Sequence, residues 1–461
     1  MSWSPDKALQ AEVIMNYPPD ADTVYVKLDS QVFLSCIYIY KGSTKNELLV
    51  TEEENQFEII PNCVTEKEYG FKDFKINDWK SSQQNFKLRN DGNEYFRTIS
   101  ENVECFIDGT NWKDTSSKKC ICNHNYFGTD CGIPDAVWFG HYSSIPLGEN
   151  ELIRRTIPRR IIQGLLFNHE YELLELRLAT NYDIVDAFII QESNYTAIGE
   201  HKALGLIDRI SKGWMNQYQD KLLYIFLSFF LKEWDSNGWL VEDYTRNHLS
   251  LNGLPLLKNK RDDDLFLLFD ADEVPTPSVL LFLKLYDGYS EPIKFNFRWN
   301  LYGFFWLNSQ STEPKSEKLV EVCTGCTLGM LEKVYDNKAI LIRSNAFEKE
   351  ELKSKVNEYS KSHNLQTWSI GTIGHYAGYH CSWCFKPEGI RTKLLSAQRE
   401  DRPRWGNYPE KTKLPYIRSL IESGGWFDGS YPTLRVDEND SNFAPEYVLK
   451  HFDRFKHILK L

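Results

Sequence analysis

The sequence predicts an α/β fold built on a mostly parallel, buried sheet flanked by helices. Three observations carry this. Short apolar runs without helical period recur from Pro158 onward, at 159–167, 185–192, 222–231 and Leu265–Phe269. Runs of that length suit strands covered on both faces. Segments 169–178 and 243–254, lying between the runs, space their apolar residues as helices do, and strand–helix alternation is the pattern of a parallel sheet. Finally, the run Leu265–Phe269 stops abruptly in Asp270-Ala-Asp272-Glu273-Val-Pro275. Open α/β sheets bind ligands outside the carboxyl ends of their strands. A helix at 278–286 and a strand at 293–299 follow, while 310–365 is polar and resists assignment.

The Asp270-x-Asp272 pair carries the chemistry. Carboxylates at i and i+2 point to one side of an extended chain. Two convergent carboxylates hold a hard divalent cation and leave room for a phosphate ligand. The local alternative is a strand-to-helix turn whose acidic residues stabilise a helix start near Pro277. The two readings coexist.

Length and charge bound the rest. The 461 residues suffice for more than one domain. A net charge of −11 argues against general affinity for nucleic acid or anionic membrane. An acidic protein that handles a diphosphate needs a metal ion or local Arg and Lys to offset repulsion. No run reaches the length of a membrane span.

Residues 1–100 read as a stem or small β module, with strand-like runs at 32–40 and 56–61, and Cys36 and Cys63 as a possible pair. Next, at 101–134, Cys105, Cys120, Cys122 and Cys131 cluster. The stretch Cys120-Ile-Cys122-Asn-His-Asn-Tyr-Phe-Gly128-Thr-Asp-Cys131 resembles the carboxyl half of an EGF-like module, with Asn125 where the module usually has Gly. That resemblance implies disulfides Cys122–Cys131 and Cys105–Cys120, hence an oxidising compartment. A zinc knuckle using His124 is the alternative. The sequons at Asn194 and Asn439 fit a secretory route. The amino terminus lacks a signal-peptide pattern, so the expectation is that an original amino-terminal anchor is missing from the chain.

Later motifs are more ambiguous. Cys323-Thr-Gly-Cys326 and Cys381-Ser-Trp-Cys384 have the internal spacing of a four-cysteine zinc site. The long gap between them favours disulfides, closed locally or linking the two segments. His380 is a candidate metal ligand or a core histidine. Glu388 opens a helix at 386–398, where it either supports the helix terminus or serves as a general base. Trp383, Trp405, Trp426 and Phe427 offer faces to sugar rings or fill a core.

Taken together, the motifs resemble glycosyltransferase family 17. The matching segments run in one order: Arg159-Arg-Ile-Ile, Val185-Asp-Ala-Phe-Ile-Ile-Gln-Glu192-Ser-Asn-Tyr-Thr196, Asp243-Tyr-x-Arg246, Asp270-Ala-Asp272-Glu273, Leu301-Tyr-Gly-Phe-Phe-Trp306, Gly325-Cys-Thr327, Ala377-Gly-Tyr-His380-Cys-Ser-Trp-Cys-Phe385, Pro403-Arg-Trp-Gly406, Gly425-Trp-Phe-Asp-Gly429 and Ala444-Pro-Glu-Tyr-Val-Leu449. The likeness covers about 155–460. It implies a GT-A-like (Rossmann-like) domain over 150–461, UDP-GlcNAc as donor and Mn²⁺ as cofactor. It further implies transfer with inversion onto the core β-mannose of N-glycans on glycoproteins, in the Golgi lumen. Family members usually carry an amino-terminal membrane anchor, and none is seen here. Cys323 is an addition beside the family's Gly-Cys-Thr. The roles implied are Asp270 and Asp272 at the metal, His380 as a third ligand and Glu388 as base. Glu192, Asp243 and Arg246 are expected at the nucleotide. A transferase with another donor or acceptor, or a non-catalytic glycan-binding protein on the same scaffold, are the competing expectations.

Overall fold

The computed structural model describes residues 11–13, 26–28, 86–88, 94–140, 152–228, 230, 238–309, 316–396 and 403–461. The strand-like runs expected at 32–40 and 56–61, with Cys36 and Cys63, lie outside them. The chain divides into two units, Met1–Ile76 and Asn77–Leu461. In the first, Ala11–Val13 pairs antiparallel with Val26–Leu28.

The second unit is organised by an 11-stranded sheet. Its strands are β1 (Ile161–Phe167), β2 (Ala187–Ser193), β3 (Leu222–Leu227), β4 (Leu265–Phe269), β5 (Glu273–Pro275), β6 (Glu291–Leu301), β7 (Gly303–Asn308), β8 (Leu319–Thr327), β9 (Leu365–Ile370), β10 (Gly378–Ser382) and β11 (Thr433–Arg435). The helices that bear on the site are α1 (Tyr171–Asn181), α2 (Gly205–Ser211), α3 (Gly238–Gly253), α4 (Pro277–Leu285) and α5 (Pro387–Ser396). The spatial order is β3-β2-β1-β4-β8-β6-β7-β11.

The first half meets the sequence expectation. Strands β3, β2, β1 and β4 are mutually parallel. Every residue of β4 is buried. Leu265, Leu267 and Phe269 join a core on one face with α4, and Phe266 and Leu268 join another with Leu249 of α3. This two-sided burial is why the run is continuously apolar. In β1, a Cβ at Gly164 would stand 2.9 Å from side-chain atoms of both Leu249 and Phe266. The glycine lets α3 approach the sheet. Pro277 occupies the first turn of α4, where its missing N–H costs nothing.

The second half corrects the expectation of a mostly parallel sheet. β8 is antiparallel to β4 and β6, β7 is antiparallel to β6 and β11, and β5 is antiparallel to β10. Only β9 and β10 run parallel to β6. The sheet is mixed. β8 lies in the unassigned stretch 310–365, where its first residues are only partly buried. The tight β6–β7 reversal turns through Tyr302 at φ +64°, a left-handed position that a tyrosine rarely signals in sequence.

The cysteines follow strand geometry. Cys105–Cys120 and Cys122–Cys131 are bridged, as the EGF-like resemblance implies. Their segment shares a core with α4 through Phe106, Ile133, Ala136 and Val137. The Tyr286 hydroxyl donates to Asp130 at 2.7 Å. Cys381–Cys384 closes locally, helped by Trp383 at φ +60°. Cys323 and Cys326 are free and buried, which corrects the disulfide expectation for that pair. Both lie in extended β8, so their Cα atoms are roughly 10 Å apart, beyond bridging reach. Among the described residues no helix is long and apolar enough to cross a membrane.

Peptide mapping of unreduced protein should recover the three bridges, with Cys323 and Cys326 alkylated only after denaturation. Replacing Cys122 by Ser should cost about 2–5 kcal/mol of stability. Free thiols at Cys122 and Cys131 in native protein would contradict this arrangement.

Candidate active site

The strand order β3-β2-β1-β4 reverses direction of growth between β1 and β4. That switch point is where open α/β sheets open a crevice at their carboxyl ends. A cavity of about 440 Å³ lies there. Its walls include Asn168 beyond β1, Gln191 and Ser193 of β2, Arg246 of α3, Asp270 and Asp272 beyond β4, His380 of β10 and Lys393 of α5.

Asp270 to Glu273 form a turn, with the Glu273 N–H donating to the Asp270 carbonyl at 3.1 Å. The segment is therefore not extended as the spacing suggested, yet both aspartates still line the cavity. Asp270 accepts from Arg246 Nη2 at 2.8 and 3.2 Å and from Arg343 Nη2 at 2.7 Å. Glu273, fully buried, accepts from Arg343 at 2.5 and 3.1 Å and from the Asp270 N–H at 2.8 Å. Arg246 also pairs with Glu242. Arg177 of α1 lies beneath the turn, its guanidinium 5.4 Å from the Phe269 ring centroid and bonded to the Asp270 carbonyl. Burial lowers the Arg177 pKa to about 10, against the pull of Glu273, Asp272 and Asp270.

Asp272 has different company. Lys393 Nζ lies 3.1 Å from its Oδ2, and His380 Nε2 lies 3.9 Å from the same atom. The other imidazole nitrogen, Nδ1, is 3.6 Å from Glu273 Oε1. Burial alone would raise all three carboxyl pKa values. Instead Arg246 and Arg343 hold Asp270 below the usual range, Lys393 and His380 hold Asp272 below it, and Arg343 does so for Glu273. Burial opposes charge on His380, but Asp272 and Glu273 raise its pKa. The turn is thus a triad of ionised carboxylates held by neighbouring cations.

Known proteins resemble this chain over much of its length. Residues 150–321 match the family Glycosyltransferase family 17. The chain is 42% identical over 347 residues to the rat protein named beta-1,4-mannosyl-glycoprotein 4-beta-N-acetylglucosaminyltransferase, covering 74% of this chain and 61% of that one. The mouse and human proteins of the same name are equally similar, over 347 and 346 residues. Over the matched residues the chain is similar to glycosyltransferase family 17. It spans about three fifths of the length of the relatives it matches.

Within this chain the expected site residues separate into two groups. Asp270, Asp272, Arg246 and His380 are gathered at the cavity. Glu192, Asp243 and Glu388 are not among its lining residues. Glu192 is fully buried; its carboxylate accepts from the Leu206 and Ile207 N–H groups at 2.9 and 3.2 Å and from the Tyr224 hydroxyl at 2.9 Å. It holds the amino-terminal turn of α2. Side chains alternate along a strand, so Gln191 and Ser193 face the cavity instead. Asp243 is exposed. On α3, Glu242, Thr245 and Arg246 line the cavity, and helical periodicity turns Asp243 off that face. Glu388 is exposed in the first turn of α5, 3.6 Å from Arg418. The sequon Asn194 is buried, whereas Asn439 is exposed.

Lys393, Arg343 and Lys202 were not anticipated. Lys393 had one faint signal, its place on the helix opened by Glu388. Arg343 lies in the unassigned stretch. The side chains that could hold a divalent cation are Asp270, Asp272 and His380. Among the described residues no three such groups converge into a ready cage. The donor set fits a cation that shares its coordination with a phosphate ligand. Glu273 beside His380 Nδ1 would orient the imidazole as a carboxylate orients a ligating histidine.

Replacing Glu192 by Ala leaves two backbone donors and a phenol unsatisfied in the interior. The expected outcome is a loss of about 3 kcal/mol of stability, with nucleotide affinity little changed in the folded fraction. Chemical denaturation and a nucleotide titration read the two effects separately. A selective loss of nucleotide binding at unchanged stability would move Glu192 to the ligand.

Proposed function

We propose that this chain is a metal-dependent, inverting transferase that moves N-acetylglucosamine from UDP-GlcNAc to the core β-mannose of N-glycans. The observation that carries the reading is the Asp270–Asp272 pair in a cavity at the sheet's switch point, in a chain 42% identical to relatives named as beta-1,4-mannosyl-glycoprotein 4-beta-N-acetylglucosaminyltransferases. Three disulfides among the described residues support an oxidising compartment, and the Golgi lumen is the location this function implies.

The reaction joins an acceptor hydroxyl oxygen to the sugar's anomeric carbon while the bond to the UDP oxygen breaks. Negative charge grows on the departing diphosphate, and the hydroxyl proton needs an acceptor. A divalent cation such as Mn²⁺, when bound, supplies Lewis-acid stabilisation of the diphosphate. Asp270, Asp272 and His380 are the residues that would hold it. Arg246 and Arg343 keep Asp270 ionised and oriented in advance of the developing charge. Ser193 presents its hydroxyl to the cavity, while the Gln191 amide is held by the Thr245 carbonyl and His248. Glu388 is the proton acceptor in this reading. That role rests on the family resemblance, because Glu388 lies off the cavity walls and 3.6 Å from Arg418.

The direct test is incubation with a panel of UDP-sugars and N-glycan acceptors, with and without Mn²⁺, read by mass. Transfer of N-acetylglucosamine alone, to the core β-mannose and only with metal, is expected; a different donor or acceptor would replace this assignment. Asp272→Asn should abolish most Mn²⁺-dependent transfer while the fold persists, and full activity at limiting Mn²⁺ would remove Asp272 from the mechanism. General bases contribute about 10²–10⁴-fold, so Glu388→Gln should lower kcat by that order with donor affinity unchanged. An unchanged kcat would leave Glu388 as a helix-terminus residue facing Arg418.

A further inference from the structure

The cations around the cavity are not equivalent. Arg246 is committed to Glu242 and Asp270, and Arg343 to Asp270 and Glu273. Arg177 lies beneath the turn, bonded to the Asp270 carbonyl. Two lysines differ from these. Lys393 Nζ makes a single contact with Asp272, at 3.1 Å, and sits 5.2 Å and 5.8 Å from the ring centroids of Trp383 and Phe385. Lys202 Nζ reaches the Asn168 carbonyl at 3.4 Å and, among the described residues, forms no ion pair. Both line the cavity. An ammonium has three donors, so each lysine retains donors for a ligand.

The cavity needs them. Its walls carry Glu170, Glu242, Asp270 and Asp272, and the whole chain has net charge −11. A diphosphate entering such a place meets repulsion unless cations with spare donors face it. Glu170 is occupied by the Asn168 and His169 N–H groups, at 2.8 and 2.9 Å, and does not pair with Lys202 or Lys393 within ion-pair distance. Burial lowers the Lys202 pKa, with Glu192 and Glu170 opposing it. An incoming phosphate would relieve that cost.

We infer that Lys202 and Lys393 are ligands for the diphosphate of a nucleoside diphosphate, forming a cationic cradle that binds it even without metal. The inference rests on the donor-nucleotide reading given under Proposed function. It assigns the lysines a share of diphosphate binding separate from the cation at Asp270 and Asp272. Lys393 would exchange its one carboxylate contact for phosphate oxygens.

Calorimetric titration of the full chain with UDP, in EDTA and in Mn²⁺, tests it, with uridine as the control ligand. Wild type should bind UDP in EDTA more tightly than uridine, and more weakly than UDP in Mn²⁺. Lys393→Met and Lys202→Met should each weaken UDP binding in EDTA by about tenfold or more and leave uridine unchanged. Lys393→Arg should restore most of the affinity. UDP binding in EDTA no tighter than that of uridine would overturn the cradle, as would unchanged UDP titrations in both Met variants. Equal losses for uridine and UDP would make the lysines structural, which also overturns it. Wild type that fails to bind UDP even in Mn²⁺ would instead sink the donor reading itself.

Discussion

The arrangement that the rest of the site depends on is the compensated charge of one turn. Asp270, Asp272 and Glu273 lie within four residues at the end of a buried strand, and three like charges there would repel strongly in a low-dielectric setting. Arg246 comes from α3, Arg343 from the helix Ile340–Arg343, Lys393 from α5 and Arg177 from α1. Each cation reaches the turn from a different part of the fold. Buried ion pairs are weak evidence for stability, because desolvation offsets much of the attraction. Removing one partner is costly, since it strands the other. The network therefore acts mainly as a geometric constraint, tying four separate elements to one loop.

The sheet is shaped to serve that constraint. Four parallel strands place their carboxyl ends together and create the crevice. The antiparallel half then brings β10 back beside β5, pairing His380 with Glu273 in register. A purely parallel sheet would continue outward from β4 and leave the far wall of the cavity unbuilt. The disulfide segment contributes from below: its Phe106 and Ile133 share the core with α4, the helix that follows the turn. A Cβ on Gly132 would collide with the Tyr286 hydroxyl, so the stapled piece and the end of α4 fit closely. In this arrangement the stapled segment packs against the helix that follows the turn.

Much of this was legible in the residues, for identifiable reasons. Strands β1 to β4 announce themselves because both their faces are buried. The same property hides their phase. When every position is apolar or buried, nothing in the sequence says whether Glu192 or Gln191 faces the ligand, and a one-residue slip exchanges them. Helix α3 shows the complementary case: Arg246 was found, but Asp243 lies a quarter-turn from the face that matters. β8 escaped notice because its amino-terminal residues Leu319 to Glu321 sit at a partly exposed edge of the core. Long-range partners such as Arg343 and Lys393 carry no local pattern at all. Ion-pair partners across 70 and 121 residues are properties of the fold.

The two aspartates of the turn also differ in a way their spacing could not show. Asp270 is gripped by two guanidiniums, planar groups whose fork geometry fixes the carboxylate. Asp272 is met by one ammonium on a flexible stem and by an imidazole at longer range. A lysine is a point charge that can swing from one oxygen to another at little cost in geometry, whereas an arginine pair must be broken. Asp272 is therefore the carboxylate able to change partners, and Asp270 the one that holds its place. Under the proposed function, in which a diphosphate is accepted and released, that division would be useful. One carboxylate fixes the frame of the turn, and the other is left free to exchange partners within it.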